Sequence, residues 1–275
     1  MDIQDLLKQT SKLPNVPEVV RELIQALNNP NTNYNTIAKK VSQDQTLSLK
    51  ILRLVNSAHF GLSRKVSSID EATVMLGMEK LKTLVIASGF SNSVKEVEGL
   101  DIKKFWIESF RVAALARWFA GRSDKVEPDI AFTAGIIHNI GRLLLHLAEP
   151  NRAKAIQTLI TESKVSRTKA ELERLGFTSQ DAGQALLDLW RFPPELGLAV
   201  KHFKKPLAAP EPQPLSAVLN LACYMNACIR DKRNEEAVKE SYPTEIAMLG
   251  GIDINTINEL GEALALESGL DGLAA

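Results

Sequence analysis

Apolar residues recur at three- and four-residue spacing along almost the whole chain, as in Val16, Val19, Val20, Leu23, Ile24 and Leu27, or Leu47, Leu49, Ile51, Leu52, Leu54 and Val55. That period lays them along one face of an α-helix, and no alternating run is long enough to build a sheet. The punctuation agrees. Asn28-Asn29-Pro30-Asn31 stops the first long helix, and Asp44 stands where an N-cap is wanted before Leu47. The pattern predicts helices at roughly 16–28, 35–42, 45–57, 68–76, 78–95, 102–122, 128–148, 151–163, 167–175, 179–191, 194–204, 213–231, 244–249 and 254–267. The fold class is all-α.

The 275 residues fit one or two domains. The periodicity pauses between Glu96 and Asp101, around Gly99, so residues 1–98 read as an N-terminal helical subdomain and 99–235 as a helical bundle packed against it. Residues 236–275 read as an acidic C-terminal helical extension, its apolar side carried by Ile254, Ile257, Leu260 and Leu264. Lys204 to Pro214 holds four of the twelve prolines and is expected to be an exposed loop rather than helix.

Charge excludes some functions. Lys plus Arg and Asp plus Glu each total 33, which argues against a nucleic-acid coat or a polybasic membrane surface. The balance hides an asymmetry: from Glu240 onward there are seven acidic residues and no Lys or Arg, so tail and body should attract each other. The acidic, polar start Met1-Asp2-Ile3-Gln4-Asp5 lacks the pattern of a signal peptide. The apolar stretch Gly135 to Ala148 is broken by His138, Asn139, Arg142 and His146, short of the ~18 apolar residues of a membrane span. A cytoplasmic location with no membrane partner is expected. Cys223 and Cys228 read as reduced, buried thiols.

Residues 36–56 have the outline of a helix-turn-helix, and Lys39, Lys40, Lys50, Arg53, Arg64 and Lys65 could supply phosphate contacts. A recognition helix needs a polar face, however, and the apolar residues from Leu47 to Val55 occupy most faces of the second helix. DNA binding is therefore an alternative, and nucleic acid is not the expected partner.

The most chemical-looking stretch is Ala134-Gly135-Ile136-Ile137-His138-Asn139-Ile140-Gly141-Arg142, a polar pair inside an apolar helix. It is similar to the metal-binding His-Asp signature of HD-superfamily phosphohydrolases. Further motifs are Leu13-Pro14, Val16-Pro17, Asp44-Gln45-Thr46-Leu47, the run from Ile51 to Gly61 (I-L-R-L-V-N-S-A-H-F-G) and Ser68-Ile69-Asp70-Glu71-Ala72 through Leu76-Gly77. In these the chain resembles one branch, the HDOD (HD-related output domain) family, over about residues 10–235. The resemblance implies an N-terminal helical subdomain on an HD-like helical bundle. It also implies bacterial regulatory or scaffolding modules in which the superfamily's enzymatic activity is usually missing.

Carried over residue by residue, the resemblance implies a vestigial pocket of Glu108, His138, Asn139, Ser179, His202 and Cys223. Glu108 stands where the pattern often has a first His, and His138 keeps the central one. Asn139 replaces the partner Asp, removing the charge that would hold metal. His202 survives beside Phe203, where a second His could stand, and Cys223 takes the place of a last Asp. His138 reads as a hydrogen-bonded core histidine, His146 as partly exposed, and Glu108, Ser179 and Gln180 as a polar network. Arg53, Asn56, Ser57 and Gly61 form a family-motif surface, or simply a helix C-cap and turn.

These readings lead to a non-catalytic signalling module, a pseudo-phosphohydrolase that works by binding signalling proteins or a small nucleotide-like ligand and carries no cofactor. Two alternatives stay open: a metal-dependent phosphohydrolase or phosphodiesterase with a reduced ligand set, and DNA binding through residues 36–56. In the first, His138, His202 and Cys223 would be a two-imidazole, one-thiolate set suited to zinc.

Overall fold

The computed structural model describes residues 2–10, 34–42, 45–56, 64–77, 81, 84, 97–190 and 192–266. Among these residues the chain is helical, without named strands, in accord with the all-α reading. In the N-terminal part lie α1 (Ile3–Thr10), α2 (Tyr34–Ser42), α3 (Gln45–Val55) and a helical stretch over 69–77. The bundle contains α4 (Ile102–Ala120), α5 (Pro128–Ile137), α6 (Ile140–Ala148), α7 (Pro150–Ser163), α8 (Arg167–Leu175), α9 (Ser179–Leu189), α10 (Pro194–His202) and α11 (Pro214–Arg230). The chain closes with α12 (Glu235–Glu240), α13 (Thr244–Leu249), a 3-10 turn over Ile254–Glu259 and α14 (Leu260–Leu264).

The helix predicted at 16–28 lies outside the described residues, as does nearly all of that at 78–95. The single helix predicted over 128–148 is two helices, broken at His138 and Asn139. Asn139 adopts a non-helical φ of −105° and ψ of 14°, and its carbonyl accepts from Arg142 N and Leu143 N to open α6. Together Pro128–Ala148 is long and apolar enough to cross a membrane, which corrects the shorter span read from sequence; 78% of its most apolar window is buried inside the protein. Helices α1 and α12 were not predicted, and Pro206–Ala208 forms a 3-10 turn inside the proline-rich loop.

Two glycines set the spacing of the bundle. A Cβ on Gly135 would overlap the backbone of Ala113, so α5 can lie directly along α4. On Gly141 it would overlap Ser179 O and Gly183 N, which brings α6 onto the start of α9. The core between these helices is aliphatic and aromatic, with Phe119, Leu115, Leu143, Leu186, Val200, Phe203 and Leu219 buried.

The pause in periodicity around Gly99 is a tight turn, in which Leu100 N donates to Val97 O and Gly99 takes a φ of +74°. His146 holds the turn on the bundle through its ring Nδ1, 3.1 Å from Glu98 O. Helix α1 packs on α9 and α6.

The acidic extension docks as the charge asymmetry suggested. Arg122 bonds Glu259 at 2.6 Å and Glu262 at 2.8 Å, and its guanidinium carbon sits 3.7 Å from the Trp118 ring centroid. A backbone bridge between Ser123 and Ile252 continues the same seam.

Candidate functional site

His138 caps the C-terminal end of α5 and points into the bundle, 5% exposed. Its Nδ1 lies 2.6 Å from Gly135 O. A carbonyl only accepts, so Nδ1 carries the hydrogen and Nε2 presents a lone pair. The ring meets Phe203 edge-on at 5.6 Å between centroids. Burial is the main force pushing the imidazole down from its ordinary 6.5 to about 4, with Lys204 and Arg142 adding to it against the Gly135 bond. His138 is thus a neutral, hydrogen-bonded core histidine.

The residues that would complete a metal set do not gather around it. His202 ends α10 only partly buried, and the charges acting on it are those of Lys201 and Asp181. Burial raises the Cys223 thiol to about 11, opposed by Lys204. Among the described residues no three His, Cys, Asp or Glu side chains are placed to hold a metal ion, so the proposed His138, His202 and Cys223 set does not converge. Asn139 makes no side-chain capping bond, and its contribution to α6 is through its backbone.

The polar network expected of Glu108, Ser179 and Gln180 has a different centre. Glu171, fully buried, accepts from Ser179 N at 2.8 Å and Ser179 Oγ at 3.0 Å. Gln180 Nε2 donates to the same hydroxyl, and Arg167 pairs with Glu171 at 3.7 Å while bonding Gln157. Glu108 stands apart from these bonds, half-buried, acting on Arg142 through its charge. Sequence reading missed Glu171. Its only signal was the i,i+4 pairing with Arg167, which is usual on exposed helix faces.

His146, expected to be partly exposed, is 2% exposed because α6 turns that face to the turn at Gly99. Its Nε2 is buried without a hydrogen-bond partner. Burial lowers its pKa, and Arg142 and Arg167 lower it further.

In the segment resembling a helix-turn-helix, Ser48 Oγ donates to Val41 O and ties α2 to α3. Ile37, Ala38, Val41, Ile51 and Val55 are buried, whereas Leu49, read as part of the apolar face, is 57% exposed. Lys39, Arg53, Arg64 and Lys65 are exposed, and Arg64 is paired with Glu71. The side chains of Lys40 and Lys50 lie outside the described residues. Asn56 follows α3 and grips Val66 from both sides: its Nδ2 donates to Val66 O and its Oδ1 accepts from Val66 N, each at 2.7 Å. Ser57 and Gly61 lie outside the described residues.

Comparison with known proteins decides the family. The family model of the HDOD domain matches residues 13–206. The chain belongs to the HDOD family. This HDOD match ends before α11, short of the limit near residue 235 read from sequence. A solved structure from Shewanella amazonensis SB2B, provisionally named a phosphohydrolase, is 33% identical, with 96% of each chain covered and a TM-score of 0.74. One from Marinobacter aquaeolei VT8, provisionally named a signal transduction protein, is 22% identical and shares the fold at a TM-score of 0.68, covering 98% of this chain and 60% of that one. Among curated relatives, the cyclic di-GMP phosphodiesterase CdgJ of Vibrio cholerae is 32% identical over 90 residues, 31% of this chain and 21% of CdgJ. This HDOD chain spans less than half the length of the curated relatives it matches.

Proposed function

We propose that this HDOD chain is a regulatory module of bacterial signalling that works by binding a protein or small ligand and not by turnover. The donor chemistry around His138 carries this reading. A divalent cation that activates water needs several anionic or imidazole ligands. Here Asn139 is neutral, and among the described residues no three His, Cys, Asp or Glu side chains are placed to hold a metal ion. The signalling name of the Marinobacter protein accords with it.

A hydrolase is the second reading, and one observation favours it. A ligating histidine commonly donates its other ring N–H to a carbonyl, which is how His138 meets Gly135. The likeness to CdgJ makes cyclic di-GMP the substrate to try.

Elemental analysis of the natively purified protein, with His138→Ala as control and a cyclic di-GMP phosphodiesterase assay alongside, separates the two. The module reading expects neither near-stoichiometric metal nor turnover. Metal and turnover that both vanish in His138→Ala would replace it with the hydrolase. For DNA, the expected result is no salt-dependent duplex binding that Lys50→Ala with Arg53→Ala removes.

A further inference from the structure

Helix α1 covers a cleft. It packs on both α6 and α9, which meet where Gly141 lies against Ser179 O and Gly183 N. Leu6 is fully buried, Leu7 nearly so, and Ile3 packs half-buried against the same core. These three stand at i, i+3 and i+4, one stripe of the helix. Asp2, Gln4, Asp5 and Lys8 are exposed; Asp2 accepts from Gln4 N, and Asp5 pairs with Lys8 at 3.3 Å. The stripe that meets the bundle is apolar, and the polar side is turned to solvent.

Helix α1 has only eight residues, whereas isolated helices shorter than about 12–15 are marginal in water. It is folded because it is seated, so undocking and unfolding are one event. The cleft is unsuited to standing open. Leu6 fills its socket completely, and emptied, that socket would put apolar surface into water. The HDOD match begins at residue 13, so both walls of the cleft lie within the family fold and its cover lies outside. A groove built by one part of the chain and filled by a short, separate helix suits exchange of that helix for another.

We infer that the cleft between α6 and α9 is a helix-docking site, filled in cis by α1 and entered by an amphipathic helix of a signalling protein with apolar residues at the spacing of Ile3, Leu6 and Leu7. The inference deepens the regulatory reading above, and rests on it, by naming the class of partner. Displacement of α1 is the event that partner binding requires.

The test uses the full chain and, as the incoming helix, a fluorescent peptide with the sequence of residues 1–10, followed by anisotropy. In the parent, α1 competes from within the same molecule at high effective concentration. Leu6→Asp vacates the cleft, so the peptide should bind this variant tighter than the parent by roughly tenfold or more. A peptide that itself carries Leu6→Asp should bind neither. Circular dichroism checks that the variant folds, and Leu6→Ala, a milder change, replaces it if it does not. Hydrogen exchange of the parent gives an independent reading: amides of residues 6–10 should exchange faster than those of α6 and α9.

Equal affinity in the parent and a folded variant, or binding to neither, overturns the inference. So does exchange in α1 as slow as that in α9. A parent dimer that Leu6→Asp converts to monomer would make a second copy's α1 the occupant and overturn the assignment to another protein. None of these results bears on metal or turnover, which test the regulatory reading separately.

Discussion

Ser179 gives both its backbone N–H and its hydroxyl to one carboxylate oxygen, Oε2 of Glu171, at 2.8 and 3.0 Å. The pair joins α8 to the first residue of α9 in a place closed to water. Removing the carboxylate strands both donors and leaves Arg167 with Gln157 but no carboxylate. Glu171→Ala should therefore lower stability by about 3 kcal/mol, and Glu171→Gln, which keeps one acceptor oxygen, by about half as much. Urea midpoints of the two variants check the order; equal midpoints to the parent would mean that water replaces the carboxylate.

Gly141 sits where α6 touches α9. Gly141→Ala would press a methyl into Ser179 O and Gly183 N, backbone atoms that cannot turn aside. A loss of roughly 2–3 kcal/mol is expected from overpacking, read as a lower thermal midpoint. Gly176→Ala meets no atom within 4 Å, although its φ of +81° is strained for alanine, so its loss should be smaller.

Acid should weaken the fold through His138. Its folded pKa of about 4 lies below the ordinary 6.5, so the unfolded chain binds more protons between those values. The stabilisation is complete above pH 6.5 and falls away as the pH drops toward 4, by ~3 kcal/mol in all. His146, also lowered, adds to the same slope. In His138→Gln the dependence of the urea midpoint on pH between 7 and 5 should flatten. An unchanged slope would mean that His138 titrates alike in the folded and unfolded chain.

Arg122 fastens the acidic extension. Arg122→Ala removes the contacts to Glu259 and Glu262 and the stacking on Trp118, together worth about 1–2 kcal/mol at this partly exposed seam. Hydrogen exchange of residues 254–264 should speed up while that of α4 stays slow. High salt should reproduce part of the effect in the parent chain.

The sequence by itself determined the helical class, most helix positions in the bundle and the attraction between tail and body, because periodicity and charge are written locally in the order of residues. It also located His138 and the missing acid at Asn139. What it could not decide was convergence. His202 and Cys223 are far from His138 in the chain, and whether three side chains meet depends on how α5, α10 and α11 are rotated against one another. That rotation is fixed by close approaches such as Gly135 on Ala113 and Gly141 on Ser179. The same packing buried His146, drew Glu171 into the interior and set the His138 ring edge-on to Phe203. Burial and electrostatic environment are properties of neighbours distant in sequence, so only the tertiary structure could turn a charged helix residue into the centre of a buried network.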